Sequence, residues 1–151
     1  MHSTLTLVPI ALVSFICSAV AAETNSTSEG IIHLKNEAVA AAFVKGGPLI
    51  TTNNFKVQAG HRVEPGEVEL HEHETDIFYV LEGSAKFVTG GTIVEPKTVS
   101  PGQIRGREIR GGTERSLSKG DIIVIPTGVP HWYKDVKGPF MYYVVKVLDK
   151  P

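Results

Sequence analysis

The sequence predicts an all-β domain preceded by one short helix. Between residues 54 and 148, runs rich in Val, Ile, Phe and Tyr alternate with turns that contain Gly and Pro. Many short strands separated by such turns are typical of β-sandwiches and β-barrels. The 151 residues fit one domain, and a formal net charge of −1 gives no indication of nucleic-acid binding.

Residues 1–22 differ from the rest of the chain because they contain no Lys, Arg, Asp or Glu. An apolar run ends at the small residues Ala19, Ala21 and Ala22, directly before a polar segment. We therefore expect a cleaved signal peptide, a secreted or periplasmic protein, and no stable membrane association after cleavage. The alternative is a retained membrane anchor, although the run is short for a membrane span and Pro9 interrupts it.

Two further features of the N-terminal region depend on this interpretation. Cys17, the only cysteine, lies within the expected signal peptide, so the mature protein would have neither a disulfide nor a cysteine metal ligand. Asn25 begins a glycosylation sequon, which has meaning only if the host secretes through an endoplasmic reticulum. Whether Asn25 carries a glycan is left open.

After the signal peptide, we expect a tail with a short helix over residues 23–53 and a β-barrel domain over residues 54–150. Residues 36–43 are rich in helix formers, and the glycines and proline at 46–48 end the helix. Apolar runs bounded by turns predict strands at residues 55–59, 68–73, 77–81, 84–88, 92–94, 122–125 and 140–148.

Residues 95–119 form the least regular stretch, with two prolines, several glycines and four arginines. A long irregular connection in a compact domain is commonly a functional loop or an insertion. One interpretation is a solvated loop that carries surface charge. The other is a flap over a cavity, in which Arg107 and Arg110 bind a carboxylate or phosphate of a ligand.

His71 and His73 are two residues apart on a predicted strand, so both side chains should project from the same face. Asp76 follows and adds a carboxylate. Imidazoles and a carboxylate at this spacing indicate part of a site for a divalent metal. His131, which follows an apolar strand and a Pro-x-Gly turn, is the candidate for the remaining ligand.

Two sequence motifs around these residues resemble those of the cupin superfamily. The first contains a glycine, a His-x-His pair, a carboxylate and a second glycine, here Gly66, His71, His73, Asp76 and Gly83. The second contains a glycine, a Pro-x-Gly turn and a histidine, here Gly120, Pro126, Gly128 and His131. The resemblance is to small single-domain members and covers about residues 55–148.

The resemblance implies a double-stranded β-helix (jelly-roll) barrel of the RmlC-like type, in which His71, His73, Asp76 and His131 converge on one metal ion. Such ligands suit Fe, Mn, Ni, Zn or Cu, and the sequence does not choose among these divalent transition metals. Asp76 stands where the family commonly has glutamate, and two residues separate it from His73. Glu74 is therefore an alternative ligand.

Four other residues near these motifs are candidates for roles around the metal. Trp132 and Tyr142 either pack in the barrel or line the pocket and contact a substrate. Asp135 either holds His131 in its ligating tautomer or lies in a surface turn. Glu69 is the candidate general base, and a tyrosine is the alternative.

We expect a metal-dependent enzyme that acts on a small organic molecule, because an ion with open coordination positions is typical of catalytic sites. A dioxygenase remains as open as an isomerase, lyase or cyclase. The alternative is a non-catalytic cupin, such as a sensor, a storage protein or a germin-like structural protein. The expected partner is a small-molecule ligand, and a homodimer is compatible with a small barrel.

Overall fold

The computed structural model describes residues 30–149. The expected signal peptide, Cys17 and the Asn25 sequon lie outside these residues. Within the described part of the chain, no helix is both long enough and apolar enough to span a membrane.

One α-helix, α1 (Asn36–Lys45), packs on the surface of the β-domain, as predicted. Glu37 in its first turn and Lys45 in its last turn match the direction of the helix dipole. Gly46 follows the helix with φ of 77°, a backbone conformation that favours glycine. Phe43 anchors the helix, because its ring meets the Tyr143 ring edge-on with the centroids 4.9 Å apart.

Eleven strands follow the helix within the described residues. They are β1 (Gly47–Thr51), β2 (Phe55–Arg62), β3 (Val68–His71), β4 (Glu74–Thr89), β5 (Thr92–Val94), β6 (Lys97–Ser100), β7 (Gln103–Gly106), β8 (Glu108–Arg110), β9 (Thr113–Ser118), β10 (Ile122–Ile125) and β11 (His131–Leu148). The main sheet has the order β1-β2-β11-β3-β7-β6, and β4 in the same sheet pairs with β9, β10 and β11. β5 and β8 form a separate two-stranded sheet.

The two longest strands, β4 and β11, pair antiparallel along most of their length, from Thr89 and His131 to Glu74 and Leu148. β2 extends the sheet along the second half of β11, and β9 and β10 pair with the two halves of β4. β3 pairs with β11 at Glu69 and His131, which places the end of β3 next to the start of β11. This pairing brings the two sequence motifs together.

Alternate residues of β4 and β11 point into the interior, where aromatic side chains form the centre of the core. Neighbouring rings lie with centroids 4.7–6.2 Å apart, mostly in edge-on arrangements. The five buried rings belong to Phe78, Phe87, Tyr133, Phe140 and Tyr142. The predicted all-β class with one short helix is confirmed.

Several strand boundaries differ from the prediction for identifiable reasons. The strands expected at 77–81 and 84–88 are one strand, because β4 runs on through Gly83, where its pairing with β11 shifts in register and a turn was predicted. Its φ is 77°, and an added Cβ would lie 2.4 Å from the Pro139 carbonyl oxygen, so glycine is required there. β11 begins at His131 rather than at residue 140, because a register shift accommodates Gly138 and Pro139 within the strand.

The stretch 95–119 is also more regular than predicted, because it contains β6, β7, β8 and β9. Positive φ values at Gly102 and Gly111 permit tight turns between these strands. β6 and β9 are largely exposed, so their sequences lack the apolar alternation that identifies a half-buried strand. The stretch that was expected to be a solvated loop or a flap is therefore largely a set of short strands.

Candidate metal centre

Three of the predicted ligands meet inside the barrel. His71 ends β3, Asp76 lies near the start of β4, and His131 begins β11. All three are buried, with at most 3% of each residue exposed. The Gly128 amide donates to the His71 carbonyl oxygen at 2.8 Å, which ties the Pro-x-Gly turn to the end of β3.

The donor atoms lie close enough to share one ion. His71 Nε2 is 3.4 Å from Asp76 Oδ2 and 3.5 Å from Glu69 Oε2. His131 Nε2 is 3.7 Å from Asp76 Oδ2. Ligand atoms bonded at about 2.0–2.2 Å to one ion lie roughly 3–4 Å from each other. Two overlapping groups could hold an ion, namely Glu69, His71 and His131, and His71, Glu74 and Asp76.

The structure does not bring His73 to these donor atoms. β3 ends at His71, and residues 72–73 form the bend that leads into β4. The alternation of side chains along a strand stops at this bend, and His73 is exposed. Glu69, the predicted general base, instead shares the inward face of β3 with His71, because it lies two residues before it on the same strand.

The site also contains an internal cation, the ammonium group of Lys146 on β11. Its Nζ donates to the two Asp76 oxygens at 2.7 and 2.8 Å and lies 3.0 Å from His71 Nε2. Glu74 Oε2 is 3.3 Å away. Lys146 is 9% exposed, and an unpaired charge at such a position would be costly. The two carboxylates therefore stabilise the ammonium inside the barrel.

Gln103 on β7 orients the ring of His71. His71 Nδ1 lies 2.6 Å from Gln103 Oε1, which only accepts, so Nδ1 carries a hydrogen. Burial lowers the pKa of His71, but hydrogen bonds with Asp76 and Glu69 outweigh it and raise the pKa to about 9, against the charge of Lys146. His71 Nε2 thus donates to a carboxylate when protonated and accepts from Lys146 when neutral. A bound metal ion would replace that proton.

The environment of His131 favours the neutral form of its imidazole. Burial lowers its pKa to about 4, and the charges of two neighbouring carboxylates oppose this only in part. Its Nδ1 donates to the Val129 carbonyl oxygen at 3.2 Å, which leaves the lone pair on Nε2. Asp135, the predicted candidate for this orienting role, lies instead opposite Lys86 on the neighbouring strand. A backbone carbonyl therefore orients His131.

Two arginines stabilise the ionised form of Glu69. Arg62 Nη2 donates to Glu69 Oε1 at 3.2 Å, and Arg105 Nη2 lies 3.7 Å from Oε2. Burial raises the pKa of Glu69, but a hydrogen bond with the neighbouring imidazole and nearby positive charges, including both arginines, lower it to about 2. Arg62 also donates to the Tyr142 hydroxyl at 3.2 Å, and its guanidinium carbon lies 4.4 Å from the Tyr133 ring centroid.

Two cavities border the donor atoms. An inner cavity of about 100 Å³ is lined in part by Asp76, His131 and Tyr142. An outer pocket of about 410 Å³ is lined in part by His71, and its volume is within the range of small-molecule sites. Glu69 borders both spaces. The donor atoms therefore lie between a buried chamber and a pocket that a small molecule could enter.

The predicted arginine contacts lie away from this pocket. The side chains of Arg107 and Arg110 are 56% and 73% exposed, and both pair with surface glutamates. Arg107 borders a separate pocket of about 580 Å³, whose lining, among the described residues, contains no histidine. Arg105 is the arginine that borders the outer pocket, and sequence reasoning did not single it out for that role.

The two aromatic candidates have different roles in the structure. Trp132 is half-buried, and its Nε1 donates to the Gly66 carbonyl oxygen at 2.7 Å. This hydrogen bond holds the segment before β3 against β11. Tyr142 is buried in the core and also lines the inner cavity. Tyr142 therefore combines the two predicted alternatives, because it packs in the barrel core and also lines a cavity.

The residues fit a divalent transition metal in ligand type and spacing. Glu69, His71, Asp76 and His131 together offer two imidazoles and two carboxylates, a set that suits several such metals. Lys146 opposes an ion most directly, because its ammonium contacts both oxygens of Asp76 and lies 3.0 Å from His71 Nε2. The cluster could hold a transition metal, and its ligand types do not determine which one.

Comparisons with known proteins agree with the fold and the motifs. The family model for Cupin matches residues 24–150. BH2720 from Bacillus halodurans has a similar solved structure, with a TM-score of 0.55, 16% identity, and coverage of 79% of this chain and 83% of that one. An RmlC-like cupin family protein with a double-stranded β-helix fold from Methanocaldococcus jannaschii has a TM-score of 0.50, 11% identity, and coverage of 69% and 79%.

The DMSP lyase DddQ from Ruegeria pomeroyi also has a similar fold, with a TM-score of 0.50 and 19% identity. The match covers 70% of this chain and 47% of DddQ, so this chain spans about half the length of that protein. No curated protein sequence matches this chain. The predicted double-stranded β-helix barrel is confirmed, and the family match includes both metal-site motifs. The chain belongs to the cupin superfamily.

Proposed function

We propose that this protein binds one divalent transition metal through Glu69, His71, Asp76 and His131, and acts on a small organic molecule in the outer pocket. The observation that carries the proposal is a series of short donor contacts, from His71 to Glu69 and Asp76 and from Asp76 to His131, each 3.4–3.7 Å long, beside a pocket of about 410 Å³. The pKa of His131 is lowered by burial, and the carboxyl pKa values are also low. These are the deprotonated forms that metal ligands require.

The chain's own residues would position the substrate. A bound ion would supply a Lewis acid with open coordination positions. Gln58 and Ser100 offer polar groups on the pocket lining, and Lys56 and Arg105 add positive charge there. A polar substrate could therefore be held by side chains on the pocket lining while its reacting end faces the donor cluster.

Two reaction classes remain within this proposal, a dioxygenation and a redox-neutral isomerisation, lyase or cyclisation step. One solved protein of similar fold is a DMSP lyase, which is compatible with the second class but does not select it. Oxygen uptake on a panel of small substrates, with the protein loaded with Fe²⁺ and separately with Zn²⁺, distinguishes the classes. Uptake that requires Fe²⁺ supports a dioxygenase, and turnover without uptake supports the other class.

A second candidate function is metal-free binding of a small molecule without catalysis. The observation that favours it is the ammonium of Lys146, which pairs with both oxygens of Asp76. In that case the outer pocket serves as a ligand-binding site whose charges are balanced within the protein. Metal content distinguishes this candidate from the first.

Metal analysis of purified protein, with matched histidine variants, tests the proposed site. We expect about one transition-metal ion per wild-type chain, as for a structural or catalytic site with this ligand set. His71→Ala and His131→Ala should lose the metal, whereas His73→Ala, an exposed control of the same type, should keep it. Wild-type protein that takes up no transition metal, or equal losses in all three variants, would refute the proposed ligands.

We further propose that residues 1–22 are removed on export and that the protein is secreted or periplasmic. The composition of this segment, apolar and without charged residues, supports the proposal. N-terminal sequencing of the exported protein should begin at Glu23. A protein that keeps Met1 and stays with the cell membrane would support the alternative of a retained anchor.

A further inference from the structure

Lys146 occupies the donor atoms that a metal ion would need. Its Nζ lies 2.7 and 2.8 Å from the Asp76 oxygens and 3.0 Å from His71 Nε2. These are hydrogen-bond distances to the same oxygen and nitrogen atoms that would bind the ion. An ion bonded to both groups at about 2.0–2.2 Å would lie next to Nζ, where two positive charges repel strongly in a buried site. The ammonium in its present position and the ion therefore exclude each other.

Glu74 offers the Lys146 ammonium a partner other than Asp76. Lys146 borders both the inner cavity and the outer pocket. Glu74 Oε2 lies 3.3 Å from Nζ, and Glu74 also lines the outer pocket. The other Glu74 oxygen already accepts from the ammonium of Lys56 at 2.6 Å. A rotation of the Lys146 side chain could move Nζ away from Asp76 while Glu74 still balances its charge.

We propose that Lys146 is an internal competitor for the metal, whose ammonium must move from Asp76 toward Glu74 before an ion can bind. This inference rests on the proposed metal site. In the metal-free protein the ammonium balances the charge of the buried carboxylates. In the loaded protein the ion takes over that role, so the metal affinity of the wild-type chain is lower than its four ligands alone would give.

Two methionine variants test this competition. Lys146→Met removes the ammonium and keeps an unbranched apolar side chain. Lys134→Met removes an equal charge from the same strand, but Lys134 pairs with Glu114 at the surface, and its side chain is 48% exposed. Isothermal titration of chelator-treated protein with Zn²⁺ alone gives each affinity. We expect Lys146→Met to bind Zn²⁺ at least about tenfold tighter than wild type, and Lys134→Met to stay within about threefold, because solvent screens its charge.

A second measurement keeps the test valid if Lys146→Met is unstable without metal. Added Zn²⁺ should raise the melting temperature of Lys146→Met more than that of wild type, because tighter binding stabilises the folded state more. Equal affinities in wild type and Lys146→Met, or equal gains in both variants, would overturn the competition and leave the metal site standing. Zn²⁺ binding to neither protein would overturn both proposals. Binding to Lys146→Met alone would support the competition and refute metal use by the wild-type protein.

Discussion

Replacing Asp76 with asparagine perturbs the charge network of the site with little change in shape. Asp76 is 2% exposed and accepts two hydrogen bonds from the Lys146 ammonium. The substitution removes the negative charge, keeps one oxygen acceptor, and leaves the ammonium buried. The expected result is a large loss of stability in the metal-free protein.

The size of the loss follows from the distances. At 2.7 Å and an effective dielectric constant of about 20, the attraction between Asp76 and Lys146 is about 6 kcal/mol before desolvation is subtracted. Removing one partner of a buried pair commonly costs about 3–5 kcal/mol. We expect about 3 kcal/mol, the lower end of that range, because Glu74 remains 3.3 Å from Nζ.

Urea unfolding of chelator-treated protein, followed by circular dichroism, measures the free energy of unfolding. Glu95→Gln is the matched control, since it makes the same chemical change in an exposed pair with Arg107 and should cost at most about 1 kcal/mol. The double variant Asp76→Asn, Lys146→Met should recover part of the loss, because the unpaired ammonium is gone. A loss in Asp76→Asn no larger than that of the control would refute the assignment of a buried ion pair.

Three further predictions concern residues around the site. Gly60→Ala should lower the free energy of unfolding by about 1–3 kcal/mol, because its Cβ would lie 2.2 Å from the Tyr142 ring; unchanged urea unfolding would contradict this. Gln103→Leu should weaken Zn²⁺ binding by about 10- to 100-fold with the fold intact, because it releases the ring of His71; unchanged calorimetric affinity would argue against that role. The folded pKa of Glu69, about 2, is below its ordinary 4.5, so its stabilisation is present above pH 4.5 and is lost as the pH falls toward 2. Glu69→Gln should flatten that dependence in metal-free unfolding curves, and an unaltered acid profile would contradict the shift.

The barrel and three residues of the site could be predicted from sequence because local patterns mark them. His131 follows an apolar strand and a Pro-x-Gly turn, and the structure bonds that turn to the end of β3. The place of His73 could not be predicted, because it depends on where β3 ends. Just beyond that end, the Glu72 amide donates at 2.9 Å to the carbonyl oxygen of Gly102, which lies far along the chain. Because β3 ends at His71, the side chain that alternation places on the same inward face as His71 is that of Glu69.

The residue spacing in the first motif did indicate that His71, rather than His73, lies near Asp76. Two residues separate His73 from Asp76, where the family commonly has three or four, whereas four separate His71 from Asp76. Lys146 also stands in register with buried Val144 in the otherwise apolar second half of β11, residues 140–148, which marks it as an inward-facing charge. Its partner could not be predicted, since Asp76 lies 70 residues earlier and only the pairing of β4 with β11 brings the two together.

Diffraction from crystals grown with Zn²⁺, recorded on both sides of the zinc absorption edge, tests the central claim most directly. We expect one anomalous peak inside the barrel, about 2.0–2.2 Å from donor atoms of Glu69, His71, Asp76 and His131. We also expect Lys146 Nζ to have moved from Asp76 toward Glu74. A barrel without a peak, or a peak bound instead by His73 at the surface, would contradict the proposed metal site.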